Sequence, residues 1–284
     1  MQSRGQRQGV RELRASSHNL IASVSSEAGY IALCEFEEAR AVALVERLAT
    51  LHPDAALPTT VLAFIHTNRP ENRYRDEGIK ILRKAIANGV EDRFIYGNLS
   101  DALLRKGEYE ESRQLNERSA QIGLKSGIPA RPTDEYLGLM YYFKGEYTNA
   151  DATFRRHSIT VPMRDARTIY LFAETQVGLK RFNEAGRIFA DGLARFPKNC
   201  ELWERFGTMY VATGDVATAL TTFDKGIAAV PKCGLNYNSA ARLLIKQNRA
   251  PEARQKLETL IKLAPNSDGA VIAKEILAAL ASKP

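Results

Sequence analysis

The stretch of residues 200–233 constrains the fold of this 284-residue chain more than any other. Trp203, Phe206 and Tyr210 are spaced by three and four residues, which places them on one stripe of an α-helix. Gly207 lies in the same stripe, where it costs about 1 kcal/mol of helix propensity relative to alanine. We therefore expect a second helix to approach closely at Gly207, and Trp203 to fill the interior between the two helices.

The second half of the stretch supplies that second helix. A Gly-Asp turn at 214–215 is followed by Ala219, Phe223 and Ile227, which recur every four residues and form another apolar stripe. Pro231 is predicted to end the helix, because proline lacks an amide N–H and disfavours helical geometry in the residue before it. One such hairpin cannot cover both of its faces, so similar neighbours are predicted.

The same pattern recurs at intervals of about 34 residues. Clear copies lie at 131–164, 166–199 and 234–267, and weaker ones at 59–92 and 93–126. Their matching positions include Leu137, Gly138, Tyr141, Ala150, Phe154, Phe172, Ala173, Ala185, Phe189, Tyr237, Ala240, Ala241, Ala253 and Leu257. This register resembles the tetratricopeptide repeat, a 34-residue pair of antiparallel helices. The resemblance implies an all-α fold, a tetratricopeptide-repeat α-solenoid in which antiparallel helix pairs stack as a right-handed superhelix.

The remaining segments are arranged around this array. Residues 59–267 are predicted to form the repeats, residues 268–284 a C-terminal capping helix, and residues 19–58 an irregular N-terminal hairpin. Residues 1–18 are predicted to be a basic, flexible tail, whose four arginines contribute to the net charge of +7. If the tail is helical, its arginines share one face suited to an acidic partner. A solvated terminus is the simpler interpretation.

The three cysteines, Cys34, Cys200 and Cys233, do not form a compact disulfide pattern. Cys200 and Cys233 are almost one repeat apart, so they belong to helices stacked side by side. Such helices lie about 8–10 Å apart, whereas a disulfide needs Cα atoms within about 7 Å. We therefore expect reduced cysteines at the repeat junctions.

The chain lacks the common catalytic sequence patterns. It contains no P-loop, no glycine-rich dinucleotide motif after a strand, no His-Glu-x-x-His and no Gly-x-Ser-x-Gly elbow. The four histidines are too scattered to suggest a metal site. We therefore predict that the protein is not an enzyme and has no catalytic residues, no metal and no cofactor.

Two further features concern membranes and location. No apolar run approaches the roughly 20 residues that span a bilayer, and the N-terminal sequence lacks the apolar core of a secretory signal. These features predict no membrane span and a cytoplasmic protein if Met1 is the natural start. A periplasmic or secreted location stays open if it is not.

The resemblance also implies a function, a non-catalytic protein-protein interaction scaffold or adaptor. In this family the first helices of successive repeats line a concave groove that holds a peptide or helix of a partner. Mapped onto this sequence, the predicted partner-binding residues are Leu139, Tyr142, Phe143, Tyr170, Glu174, Asn238, Arg242 and Lys246. Aromatic residues are enriched at binding hot spots, and the basic strip of Arg242 and Lys246 suits an acidic segment.

Two alternatives to this scaffold stay open. Helical-repeat proteins with repeats of about 35 residues also bind RNA, but repeat ends such as Arg-Phe-Pro at 195–197 fit the tetratricopeptide pattern better. Nucleic acid is therefore the weaker alternative as a partner. A regulatory or assembly subunit of a larger enzyme complex is the other alternative, and self-association is compatible with either.

Overall fold

The computed structural model describes residues 38–51, 56–67, 75–125, 127, 133–160, 163 and 165–281. These residues form fourteen α-helices, with no β-strand among them, so the predicted all-α repeat fold is confirmed. The chain divides into two compact units, residues 1–130 and residues 131–284. The predicted tail, the first part of the predicted N-terminal hairpin and Cys34 lie outside the described residues.

The described residues of the first unit form five helices. They are α1 (Glu38–Leu51), α2 (Ala56–Thr67), α3 (Arg75–Ala87), α4 (Arg93–Lys106) and α5 (Tyr109–Lys125). The carboxylate of Asp92 begins α4 by accepting hydrogen bonds from the amides of Phe94 and Ile95, at 2.8 and 3.1 Å. Gly107 ends α4 in the left-handed conformation, with φ at 88°. Leu82 of α3 packs with Leu99 of α4 in the core of this unit.

The second unit contains nine helices among its described residues. They are α6 (Thr133–Phe143), α7 (Tyr147–Thr160), α8 (Ala166–Gly178), α9 (Phe182–Arg195), α10 (Cys200–Thr213), α11 (Val216–Ala229), α12 (Gly234–Lys246), α13 (Ala250–Leu263) and α14 (Asp268–Ala281). Each first helix packs on the second helix that follows it, which gives the pairs α6/α7, α8/α9, α10/α11 and α12/α13. The last helix, α14, packs against both α12 and α13.

The turn inside the α10/α11 pair forms where the sequence predicts it. Gly214 ends α10 with φ at 81°, and the carboxylate of Asp215 accepts a hydrogen bond of 3.0 Å from the amide of Thr218 in α11. Helix α11 ends at Ala229, two residues before Pro231. These local signals therefore set the boundaries of the pair.

Close helix crossings hold the pairs together. A Cβ atom built on Gly207 of α10 would lie 2.3 Å from Cε1 of Phe223 in α11, and one on Gly138 of α6 would lie 2.7 Å from Cε1 of Phe154 in α7. Phe223 and Phe154 are buried, with at most 1% of the side chain exposed. The predicted close approach at Gly207 is therefore confirmed, and a glycine is needed because any side chain would overlap the ring.

This crossing gives a first prediction. We expect Gly207→Ala to lower the free energy of unfolding by about 1–3 kcal/mol, because the added methyl group forces Phe223 out of its packed position. Gly186→Ala in α9 is the matched control, since its Cβ would meet only Met209 and Phe206, each at 4.0 Å. There the gain in helix propensity makes a small stabilisation the expected result. Urea denaturation of both variants measures the difference, and equal stabilities would contradict the crossing.

Trp203 does not occupy the interior position expected of it. Its side chain is half-buried in the first turn of α10, and its indole N–H donates a 2.9 Å hydrogen bond to the carbonyl of Pro197. The backbone of Gly226 in α11 approaches it closely, so that a Cβ on Gly226 would lie 2.7 Å from Cβ of Trp203. Because Trp203 lies near the start of its helix, the centre of the pair is filled by Phe223 instead.

The expectation of reduced cysteines is wrong for Cys200 and Cys233, which form a disulfide. Their Cα atoms are 6.4 Å apart, within the range of a disulfide. Cys200 is the first residue of α10, and Cys233 immediately precedes α12. The distance between helix axes is therefore the wrong measure, because the bond joins the converging ends of two helices and not their midpoints.

Candidate functional site

The first helices of the second unit form a continuous surface. Helix α6 contacts α8, α8 contacts α10, and α10 contacts α12, in addition to the contacts within each pair. We call the side of the unit formed by α6, α8, α10 and α12 the first-helix surface. All eight predicted partner-binding residues belong to these four helices.

A half-buried carboxylate on α8, that of Glu174, connects the first three of these helices. The hydroxyl of Tyr142 in α6 donates a 2.8 Å hydrogen bond to Oε2 of Glu174 in α8. The guanidinium of Arg205 in α10 donates a 3.0 Å hydrogen bond to Oε1 of the same carboxylate. Only 18% of the Glu174 side chain is exposed. Both of its carboxylate oxygens accept hydrogen bonds from the protein itself, as is usual for a polar group with little access to water.

Arg205 is the centre of this arrangement. It also donates a 3.3 Å hydrogen bond to Glu201, its Nε lies 3.7 Å from Oε2 of Glu204, and its guanidinium carbon stands 5.5 Å from the centre of the Tyr170 ring. Such a position over an aromatic ring is favourable for a cation. Arg205 is therefore held by three carboxylates and one aromatic ring, although 35% of its side chain remains exposed.

Glu204 extends the contacts to the fourth helix. Its Oε1 accepts hydrogen bonds from the hydroxyl of Thr208, at 3.0 Å, and from that of Ser239 in α12, at 2.8 Å. We call the whole set the Arg205 network, and its members are Tyr142, Tyr170, Glu174, Glu201, Glu204, Arg205, Thr208 and Ser239. Its side-chain contacts join all four helices of the first-helix surface.

The protonation of the network follows from its burial and its charges. Burial raises the pKa of the Glu174 carboxyl above its usual range, although the Arg205 charge and the hydrogen bonds act in the opposite direction. Burial and the neighbouring Glu174 also raise the pKa of Tyr142, which keeps its hydroxyl a donor. Burial by itself lowers the pKa of Arg205, but the surrounding carboxylates outweigh it and the pKa is raised. Arg205 therefore stays cationic.

The predicted site residues fall into three groups by exposure. Leu139, Tyr170 and Asn238 are buried, at 1%, 5% and 7% exposed. Leu139 packs in the interior, and the side-chain amide of Asn238 donates a 3.1 Å hydrogen bond to the carbonyl of Gly269 in α14. Because these three side chains are buried, they are not available for direct contact with a partner.

The other five predicted residues reach the surface. Tyr142, Phe143 and Glu174 are half-buried, and the rings of Tyr142 and Phe143 meet edge to face with centroids 5.1 Å apart. Arg242 and Lys246 are exposed, one helical turn apart on α12. The structure thus brings Tyr142, Glu174 and Tyr170 together around Arg205, and leaves the basic pair on the neighbouring helix.

Sequence reasoning did not select Arg205. It lies at the sixth position of its repeat, directly after Glu204 and four residues after Glu201. A glutamate four residues before an arginine on one helix face predicts a local ion pair, which could have drawn attention to this position. The contact with Glu174 depends on how α8 and α10 are placed next to each other, which the residue spacing within a single helix does not predict.

Within the described part of the chain, no group of three or more His, Cys, Asp or Glu side chains is arranged to hold a metal ion. No helix in the same residues has the length and apolar character needed to cross a membrane.

Comparison with known proteins identifies the repeat. The family model described as "Tetratricopeptide repeat" matches residues 239–267, which include most of α12 and α13. No curated protein sequence matches the chain.

Solved structures of the same fold cover most of the chain. A tetratricopeptide repeat protein from Parabacteroides merdae ATCC 43184 has a TM-score of 0.50 and 16% identity, covering 91% of this chain and 97% of that chain. Yeast Tom70 has a TM-score of 0.60 and 13% identity, covering 94% of this chain and 56% of that one. The APC/C hetero-tetramer Cut9–Hcn1 has a TM-score of 0.51 and 14% identity, with coverages of 86% and 47%. The present chain spans about half the length of the latter two, and these likenesses show the fold.

Proposed function

We propose that this chain, a tetratricopeptide-repeat protein, is a non-catalytic scaffold that binds a peptide segment or a helix of another protein on the first-helix surface of residues 131–284. The observation that carries the proposal is the Arg205 network. It holds four successive first helices in register and leaves Tyr142, Phe143 and Arg205 partly exposed. A rigid surface of this kind loses little conformational entropy when a partner binds.

The exposed side chains define what the partner offers. Tyr142 and Phe143 present aromatic area next to polar groups, a combination that is enriched at binding hot spots. Three carboxylates of the network surround the single guanidinium of Arg205, whereas Arg242 and Lys246 on α12 are both cationic. The partner segment therefore carries basic groups where it meets α8 and α10 and acidic groups where it meets α12.

The basic pair on α12 provides a test that leaves the fold intact. We expect the double variant Arg242→Glu/Lys246→Glu to lower affinity for the partner about 10-fold or more, mainly by slowing association, because both charges are exposed and reversed in sign. The matched control reverses the exposed Arg254 and Lys262 on α13, the second helix of the same pair.

The experiment has two stages. Proteins captured from a native lysate by the unmodified full chain, by the α12 variant and by the α13 control are identified and compared. A partner segment lost only with the α12 variant is then synthesised, and its association and dissociation rates are measured over a salt series. Equal capture by all three proteins would contradict the proposed surface. Capture dominated by RNA, with affinity falling steeply as salt rises, would favour the nucleic-acid alternative.

A further inference from the structure

The disulfide between Cys200 and Cys233 joins two neighbouring helices of the first-helix surface at their N-terminal ends. The two residues are separated by 33 positions, and the segment between them contains the whole of α10 and α11. The bond therefore closes one complete repeat into a covalent loop and ties it to the start of the next.

The surroundings of the bond are closed to solvent. Cys200 is 9% exposed and Cys233 is 2% exposed. The side-chain amide of Asn236, itself fully buried, donates a 3.2 Å hydrogen bond to the carbonyl of Cys200 and lies 3.5 Å from its sulfur. A thiol reductant in solution reaches the sulfurs only when this end of the α10/α12 contact opens.

The backbone is closely packed at this end of the two helices. Gly234, next to Cys233, packs directly on the backbone of Gly269 in α14, where a Cβ would lie 2.5 Å from the Gly269 Cα. Farther along the helices, Ser239 of α12 is hydrogen-bonded to Glu204 of α10. The disulfide connects α10 and α12 at their N-terminal ends, and this hydrogen bond connects them farther along. The disulfide therefore helps to set the distance between these two helices of the first-helix surface.

We propose that Cys200 and Cys233 form an oxidation-dependent staple that locks α10 to α12 and makes the stability of this part of the protein depend on the thiol–disulfide balance of its surroundings. Closure proceeds by exchange with a small-molecule disulfide such as oxidised glutathione. One cysteine thiolate attacks the small disulfide and releases one thiolate, and the second cysteine then attacks the mixed disulfide and releases the other. The two cysteines lose two electrons and two protons in total, and the small disulfide is reduced to two thiols. Once closed, the bond is shielded by its burial.

The test uses the full chain in a Cys34→Ser background, so that only two cysteines remain. After treatment with oxidised glutathione, unfolding in urea with iodoacetamide is expected to label neither cysteine, and prior reduction with dithiothreitol in urea is expected to label both, as read by intact mass. Reduction of the folded protein by glutathione is expected to be about 100-fold slower than that of the urea-unfolded protein, because the bond is buried. The closed form is expected to melt about 10 °C above the reduced form.

The variant Cys200→Ser/Cys233→Ser in the same background is the control. We expect its melting temperature to be close to that of the reduced protein and to be unaffected by dithiothreitol. Fluorescence of Trp203, three residues after Cys200, reports on the same end of α10. Two labelled thiols after oxidant treatment of the folded protein and its unfolding in urea with iodoacetamide would overturn the proposal, and so would a melting temperature that prior reduction with dithiothreitol does not change. Both readings come from the single background protein, so they hold even if the double variant does not fold.

Discussion

We expect the substitution Arg205→Met to lower the free energy of unfolding by about 3 kcal/mol. Removing one partner of a buried ion pair leaves the other charge without compensation, at a cost of about 3–5 kcal/mol. The expected value lies at the lower end of that range because 35% of the Arg205 side chain is exposed, and water screens part of the interaction. Methionine keeps a long apolar stem in place, so the packing against Tyr170 is largely preserved.

Urea denaturation of the full chain, followed by the fluorescence of its single tryptophan in α10, measures this loss. The control is Arg187→Met on the exposed side of α9, which we expect to change the stability by less than about 0.5 kcal/mol. The double variant Arg205→Met/Glu174→Gln is expected to recover much of the loss, because it removes the buried charge together with its partner. An Arg205→Met protein as stable as the Arg187→Met control would show that the Arg205 network does not contribute to the stability of the fold.

The dependence on pH gives a second reading of the same network. The pKa of Glu174 is raised by burial, so the folded state binds the proton more tightly than the unfolded state does. The contribution of this group to stability is therefore fully present below the unfolded value of 4.5 and is lost as the pH rises through the folded value. We expect the loss as the pH rises above 4.5 to be larger in Arg205→Met than in the unmodified protein, because the counter-charge that lowers the Glu174 pKa is gone.

Local sequence signals predicted the fold of the second unit well. Gly207 is a glycine because Phe223 approaches it, Gly214 and Asp215 turn the chain, and Pro231 follows the end of α11. Each of these signals acts within one helix pair, over distances that a 34-residue pattern encodes directly. The regular spacing of such pairs along the chain then implies the stack.

The candidate site was predictable only in part, because its side chains meet between repeats. Leu139 and Asn238 occupy groove positions in the repeat pattern, yet neighbouring helices cover them. Arg205 was missed because its main partner, Glu174, belongs to another repeat. The disulfide was missed for a similar reason, since the helix ends at Cys200 and Cys233 converge more than the average distance between helix axes suggests.

The largest loss of stability is expected for Phe223→Ala, at about 3–5 kcal/mol, because this ring is 1% exposed and its removal leaves a cavity between α10 and α11. Trp203 is the larger residue, but it is half-buried and we expect Trp203→Ala to cost clearly less. Far-ultraviolet circular dichroism during urea denaturation compares the two variants without relying on the tryptophan.

The crossing at Gly207 allows a stricter version of this comparison. We expect Phe223→Leu to make room for the methyl group of Gly207→Ala, so the double variant should be more stable than the sum of the two single losses predicts. Such a coupling arises only if the ring packs on the glycine backbone, as indicated by the 2.3 Å between a Cβ built on Gly207 and Cε1 of Phe223. Strictly additive losses would mean that the Phe223 ring does not pack on Gly207. A Trp203→Ala loss as large as that of Phe223→Ala would mean that Trp203 and not Phe223 fills the centre of this pair.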